Sequence, residues 1–502
     1  MPTIDELATF CKKKGFVYPS AEIYNSLAGF FDLGPLGVEL STNIKAHWWH
    51  HFVRSREDVV GIDGSIITHP KVWRASGHLD SFEDIFVEDV KTKERYRADH
   101  LVEDALKIPT DGMSVEQLWQ IIQKHELKSP KGNPLSQPNK FNLMFHTNIG
   151  SIRDEKSTAY LRPETAQNIF INFKAVQETS RLKLPFGIAQ IGKGFRNEIS
   201  PRDFLFRVRE FEMMELEYFF DHATASKLKP KNLKLTFLSQ EEQHKKSPKT
   251  EATTIVQLLA SKKLAVTHAY WLAEAYQWFL KLGLKKENLR IREHTKEELS
   301  HYSTATFDIE YLFPFGWKEL QGCANRGMYD LTQHEKHSNT KLSVFDEDTK
   351  QKILPSVIEP AWGVGRTFLA LLLDAYNDDK KRGNIVLKLN PKLAPIQVGV
   401  FPLVKNKKQI VKKAREIFNA LKQNFTTTYD ESGSIGRRYA RADELGIPFC
   451  ITVDFDSLKD KKVTIRNRDT TKQIHVKASE LKDIISKIMT GTPFEKCGKL
   501  MN

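Results

Sequence analysis

The chain has 502 residues, 40% of them apolar and 28% charged, an ordinary composition for a folded soluble protein of about three domains. Its longest aliphatic run, Phe368 to Leu373, is far short of the ~20 residues a membrane-spanning helix needs. The start, Met1-Pro2-Thr3-Ile4-Asp5-Glu6, lacks the basic and apolar stretches of a signal peptide, so a cytoplasmic location is expected. Four scattered cysteines, Cys11, Cys323, Cys450 and Cys497, argue against a disulfide framework and a cysteine zinc site. The net charge of +13 is uneven: residues 395–502 hold 21 Lys and Arg against 12 Asp and Glu. That tail fits either a polyanionic partner, through counterion release, or a solvated lysine-rich surface.

In chain order, Leu36, Leu40, Ile44, Trp48 and Phe52 recur at i+4 and predict a helix over 37–54, entered through the turn Asp32 to Gly37. Residues 83–140 are polar, broken by Pro and Gly, and read as an insertion with one helix near 115–125. Two strand runs are expected between Gly187 and Phe220, joined by Ile199-Ser200-Pro201-Arg202-Asp203. Residues 223–303 read as a second, lysine-rich insertion, helical around 267–282. Strands follow at 306–312 and 317–323, and Val357-Ile358-Glu359-Pro360 runs into a helix carrying Phe368, Leu369, Leu372 and Leu373. Leu389 to Pro395 marks a domain boundary. Beyond it an α/β pattern is expected: strand 396–403, helices 407–422 and 434–445, strand 448–454, hairpin 463–476 and a last helix.

A period of two through Arg207 to Glu217 places Arg207, Arg209, Phe211, Met213, Glu215 and Glu217 on one strand face. Arg196 and Glu198 would share a face of the strand before it. Such a face is either a solvated antiparallel surface with cross-strand ion pairs or a nucleotide cradle, with guanidinium groups on phosphate and a ring on the base. Gly187 to Lys193 matches a phosphate loop up to its lysine. However, Gly194 stands where Ser or Thr must ligate Mg²⁺, and the segment continues as strand, so that reading is rejected.

Three ordered segments resemble the signature motifs of class II aminoacyl-tRNA synthetases: Gly34-Pro35-Leu36-Gly37 with its helix, Phe195-Arg196-Asn197-Glu198 with Arg207 ahead of Phe211-Glu212, and Gly363-Val364-Gly365-Arg366. Trp73-Arg74-Ala75-Ser76-Gly77-His78, Tyr96-Arg97-Ala98-Asp99-His100, Leu161 to Gln167 and Glu359-Pro360 are similar to the homodimeric glycyl-tRNA synthetases, and the likeness spans nearly the whole chain. The resemblance implies an α+β fold: a catalytic domain, 1–394, with an antiparallel sheet flanked by helices and two insertions, then an α/β anticodon-binding domain, 395–502. It implies activation of glycine by ATP and transfer to tRNA(Gly) in a homodimer, with the first motif's helix at the interface.

By the same resemblance Arg196, Arg207 and Arg366 are the catalytic arginines. Arg196 would hold the ATP α-phosphate, Glu198 the adenine edge, Phe211 the adenine face, and Arg207 and Arg366 the γ-phosphate. Asn197, Val208, Arg209, Glu210, Glu319, Leu320 and Gly363 complete the ATP contacts, with Mg²⁺ met through Glu210 and Glu319. Glycine's ammonium would sit among Glu164, Glu215 and Glu359, near Gly363, and its carboxylate on Arg74 or Arg326. The chain departs from the family at Ala361, where a serine is usual, at Gly365, where an aspartate is usual, and at Asn168, where glycine is usual. The Cys-x-x-Cys pairs of many relatives are missing from the first insertion, so no zinc is expected. In the tail, Arg437, Arg438 and Arg441 are either RNA contacts or a solvated helix face. Two rival readings are a non-catalytic paralogue that binds nucleic acid, which would be expected to lose Arg196, Arg207 and Arg366, and a synthetase for another amino acid.

Overall fold

A computed structural model describes residues 1–108, 110, 112–151, 157–347 and 349–501. Nine strands form its main sheet: β1 (Val59–Gly61), β2 (Phe186–Phe195), β3 (Glu210–Phe220), β4 (Lys234–Leu238), β5 (Glu251–Thr254), β6 (Leu289–Glu293), β7 (Ala305–Phe313), β8 (Gly316–Gly327) and β9 (Ser356–Gly363). Their spatial order is β5-β4-β6-β7-β8-β9-β3-β2-β1. Only β4 with β6 and β1 with β2 run parallel, so the centre of the sheet is antiparallel as expected.

The helices against this sheet are α1 (Pro35–Trp49), α2 (Ala166–Thr179), α3 (Val266–Leu282), α4 (Tyr329–Ser338) and α5 (Val364–Ala375). The first begins with Pro35 in the opening turn, where a missing N–H costs nothing, and its predicted end at Arg54 is reached through one wider turn, His50–Arg54. Gly37 must be glycine: a Cβ there would lie 1.9 Å from the Phe16 carbonyl oxygen.

Alternation along β3 separates two faces. Met214, Leu216 and Tyr218 enter a core shared with Trp48, Phe52, Trp271, Trp278 and Trp362. Met214 pairs with Trp362 across β3 and β9, and the Trp362 ring lies 4.7 Å from Phe52 and 5.5 Å from Trp48, so this tryptophan is a packing residue. Glu215 pairs with Ala361, and Ala324 with Glu359, on the opposite face. That face holds the polar groups.

Both insertions differ from expectation. The first carries two helices, Ala98–Leu106 and Val115–Lys124, over strands Glu83–Glu88, Arg95–Arg97 and Asn139–Asn142, with its own core around Val87, Val102, Leu118 and Ile122. The unexpected helix has Arg97 at its N-cap, with no side-chain cap to announce it. Residues 109 and 111 of this insertion lie outside the described residues. The second insertion is no appendage: β4, β5 and β6 extend the main sheet, and α3 is buried almost throughout. Most of its lysines sit in the loops, Lys234 on β4 and Lys281 on α3 being exceptions, and composition reports mainly the loops.

The tail forms a second sheet from β10 (Val398–Pro402), β11 (Thr427–Tyr429), β12 (Phe449–Val453), β13 (Lys462–Asn467), β14 (Gln473–Lys477) and β15 (Lys499–Leu500), in the order β11-β10-β12-β13-β14-β15. Helices α6 (Lys408–Leu421), α7 (Ile435–Glu444) and α8 (Leu481–Met489) fall where expected. One buried core ends at Leu393 and the next begins at Val398, on either side of the anticipated boundary. Polar ties cross it: Arg382 donates to Asp443 at 3.1 Å and to the Arg468 carbonyl at 2.8 Å, and Arg468 donates to the Leu389 carbonyl at 2.7 Å.

Candidate active site

Strand β2 stops at Phe195 and β3 starts at Glu210, so residues 196–209 form a loop longer than the five-residue joint expected. Pro201 and the left-handed Asp203 and Phe204 (φ 59° and 57°) turn the chain there. Arg207 and Arg209 are therefore loop residues, and the strand alternation holds only from Glu210 onward. The loop still brings the expected groups together. Arg196, Glu198, Arg207, Val208, Phe211, Glu319, Gly363 and Arg366 line one cleft.

Within the cleft Arg366, at the start of α5, meets Glu319 at 2.9 Å, and its guanidinium carbon stands 4.5 Å from the Phe206 ring centre. Arg207 Nη1 lies 3.6 Å from Glu198 Oε2, and neither buried atom has a hydrogen-bond partner among the described residues. Such a pair is open to a polar ligand. The Phe211 ring covers Gly194, where an added Cβ would come within 2.7 Å of it. The residue that breaks the phosphate-loop pattern is thus glycine to admit the ring.

Four expected ATP contacts are not among the residues lining this cleft. Arg209 donates to the carbonyls of Ala28 (2.8 Å) and Glu198 (3.0 Å), bracing the loop. Glu210 pairs with Lys193 and lines an adjoining cavity of about 430 Å³ with Asp32 and Phe368 rather than the cleft itself. Leu320 is buried in the core. Asn197 is tied by its backbone N–H to the Leu143 carbonyl at 2.8 Å.

On the same sheet face is an acidic chamber. Arg326, at the end of β8 and 1% exposed, donates to Asp330 on α4 (2.7 and 2.9 Å) and to Glu359 on β9 (2.8 Å), and lies 3.8 Å from Glu164. Tyr302 caps its guanidinium at 3.8 Å. Arg326 is thus fully occupied by the protein's own carboxylates and has no fork free for a substrate carboxylate. Glu164 also meets His78 Nε2 at 3.3 Å and accepts from Gln167 at 3.1 Å. Glu215 accepts from the Thr165 N–H at 2.6 Å and from the Thr165 hydroxyl. Glu217, unassigned in the sequence although on the same face as Glu215, is fully buried with both oxygens unpartnered. Arg74 is exposed on the short helix Pro70–Ala75, with no ion pair to these carboxylates among the described residues.

One guanidinium and one imidazole cannot neutralise five buried carboxylates, and the titration follows from that surplus. Burial, then the neighbouring Glu215 and Glu164, outweigh Arg326 and push Glu359 up to about 8. Burial and Glu164 raise Glu215, and burial with Glu359 raises Glu217 well above the usual range. Glu164 goes the other way: burial is more than reversed by His78, Arg326 and Gln167, which hold it well below the usual carboxylate range. The chamber is a ready acceptor for a small cation.

Residues 397–488 match the family described as an anticodon binding domain. Almost the entire chain is similar to glycine–tRNA ligases: 47% identical over 483 residues to that of Caldanaerobacter subterraneus subsp. tengcongensis, covering 94% of this chain and 96% of the relative. Identity is 45% over 494 residues with that of Clostridium beijerinckii (96% and 98% covered) and 43% over 495 with that of Geobacillus thermodenitrificans (97% of each). The chain belongs to the glycine–tRNA ligase family.

Against this glycine–tRNA ligase family background the tail arginines separate. Arg438 is 2% exposed and spends its guanidinium on the carbonyls of Pro402, Leu403 and Gly433, and Arg441 is paired with Asp430 at 2.5 Å. Arg437 is exposed on α7.

The state of Glu217 is testable. Its folded pKa lies far above the unfolded value near 4.5, so its stabilising effect is complete at acid pH and is lost as pH rises. Glu217→Gln should come close to the parent's stability at pH 4 and exceed it at pH 8, by about 1.4 kcal/mol for each pH unit over which only the unfolded carboxyl ionises. Denaturant unfolding at both pH values checks this; equal stability at pH 8 would mean that Glu217 is ionised in the fold.

Proposed function

We propose that this family member activates glycine with ATP and transfers the glycyl group to the terminal ribose of tRNA(Gly). The observation that carries this reading is the junction of a carboxylate-rich chamber with an arginine-lined cleft on one sheet face. In the cleft Phe211 stacks on adenine, Glu198 meets its edge, Arg196 takes the α-phosphate, and Arg207 and Arg366 take the γ-phosphate. The Glu319 carboxylate, half exposed beside Arg366, fits a Mg²⁺ arriving with ATP, which would offset phosphate charge there.

In the chamber the ammonium of glycine sits among Glu164, Glu215 and Glu359. With Arg326 fully paired and Arg74 exposed, Arg196 is the remaining cation for the glycine carboxylate, since its charge is felt by both Glu215 and Glu319. A carboxylate is already anionic at neutral pH, so no general base is required. Its oxygen attacks the α-phosphorus, the bond to the bridging oxygen breaks, and pyrophosphate leaves. A ribose hydroxyl of tRNA then attacks the carbonyl carbon and AMP departs. The arginines act by alignment and by matching charge that develops on phosphate oxygens.

Residues 1–394 would form the catalytic domain and 395–502 the tRNA-binding domain, with Arg437 offered to RNA. The cytoplasm is the proposed location; no described helix is long and apolar enough to cross a membrane. A homodimer is supported by Ile23, Tyr24, Leu27, Leu33 and Val38, all exposed around the start of α1 in an apolar group that calls for a partner.

Glycine-dependent exchange of pyrophosphate into ATP tests the activity: exchange driven by alanine or serine instead, or none at all, refutes it. Arg196→Ala should abolish exchange while tRNA binding persists, and removal of 395–502 should spare exchange and impair charging.

The pH dependence follows from Glu359. Below about 8 the empty chamber holds a proton there, and an incoming ammonium favours its release. KM for glycine should therefore fall as pH rises from 6.5 to 8.5, by at most tenfold per unit. Calorimetry in buffers of different ionisation heat should register proton release at pH 7; none would mean that Glu359 is already ionised.

Light scattering should give twice the chain mass, and Val38→Asp should shift it toward monomer. A monomeric parent would rule out the dimer.

A further inference from the structure

Arg196 and Arg326 are held in opposite ways. Arg326 is surrounded by carboxylates, and its charge is consumed by them. Arg196 has no carboxylate within ion-pair distance among the described residues. Its Nε donates to the Pro163 carbonyl at 3.2 Å, and its guanidinium carbon lies 5.2 Å from the Phe211 ring centre and 5.5 Å from that of Phe82. Neutral groups fix its direction and leave its charge for a ligand. That is the requirement for an arginine that must grip a phosphate, because cation–π contact orients a guanidinium without neutralising it.

Phe82 stands just ahead of the first insertion, outside the three motif segments. Its ring is 5.3 Å from His78, which meets Glu164 in the acidic chamber. Its carbonyl accepts from Leu143 N at 3.0 Å, and the Leu143 carbonyl accepts from Asn197 N at 2.8 Å, next to Arg196. The ring and the loop it serves are thus joined through one residue of backbone. Phe211 lines the cleft and would be shared between adenine and Arg196, whereas Phe82 is not among the residues that line the cleft.

The geometry points to Phe82 as a positioning residue for adenylate formation: its ring holds the Arg196 guanidinium at the junction of chamber and cleft while Phe211 is engaged by the base. This rests on the role of Arg196 proposed above. Phe82→Leu keeps the bulk and removes the π face, and Phe82→Tyr keeps the face. Leu should lower kcat of glycine-dependent pyrophosphate exchange roughly 3- to 30-fold, the range of a cation–π contact, and raise KM for glycine, whose carboxylate the same guanidinium takes. Tyr should stay within about twofold of the parent in both.

Thermal melting of each variant separates misfolding from this effect. A folded Leu variant with the parent's kcat overturns the proposal, as does a folded Tyr variant impaired as much as Leu. If Leu does not fold, a Tyr variant with the parent's kcat supports the role and an impaired one overturns it. Exchange by the parent enzyme is measured alongside, so a failure of the glycine–ATP reading is seen separately from a failure of Phe82.

Discussion

The site depends on a charge imbalance that the fold enforces. Arg326 is buried beneath Tyr302 with Asp330, Glu359 and Glu164 around it, and Glu215 and Glu217 complete a group that carries more negative charge than it can neutralise. Unpaired buried charge costs several kcal/mol per ion. Protons on Glu217 and Glu359 relieve part of that cost, and a cationic ligand relieves it better by replacing a proton with a positive charge at hydrogen-bond distance. On the proposed reading, the chamber's affinity for an ammonium group would follow from this resting protonation.

Holding like charges together requires a scaffold that does not relax. The carboxylates come from β3 and β9 and from the segment before α2, while Arg326 comes from β8. These strands lie at the middle of a nine-stranded sheet, with neighbours on both sides. Behind them the alternate residues of β3 and β9 interlock with the tryptophan core, so that Glu215 and Glu359 are anchored by Met214, Ile358 and Trp362. The second insertion matters here beyond Tyr302, which caps Arg326. Its three strands extend the sheet beyond β7, and α3 supplies Trp271 and Trp278 to the core under the site.

What could be read from the sequence follows from this division. Phe211 to Glu217 lie on a half-buried strand, where alternation is enforced by packing, and their shared face was legible. The loop before them was not: its turn depends on positive φ at Asp203 and Phe204, residue types that give no such signal. Glu210 has the opposite alternation phase to Phe211 and pairs with Lys193, so strand parity alone separates it from the Phe211 face. The role of Arg326 was hidden because Glu359 lies 33 residues away on a neighbouring strand. Resemblance located the motif residues well. It gave no sign that Arg74 is exposed or that Arg326 is bonded to Asp330 and Glu359.

Ala361 shows how the chamber accommodates a departure. Relatives usually carry serine there, and the register sets Ala361 opposite both Glu215 and Gly322. The missing hydroxyl could have left Glu215 an unpartnered buried carboxylate. Instead Thr165, at the head of α2, gives it both an N–H and a hydroxyl proton. Glu215 is thereby fixed from the helix side, while the strand side stays small and unobstructed. A pocket that rejects larger amino acids does so by lacking room, since attraction to one methylene more or less is worth only about 1–3 kcal/mol. Selectivity for the smallest amino acid then rests on how firmly the walls resist displacement. On the proposed reading, the Thr165 bonds to Glu215 and the three hydrogen bonds of Arg326 to Asp330 and Glu359 supply that resistance.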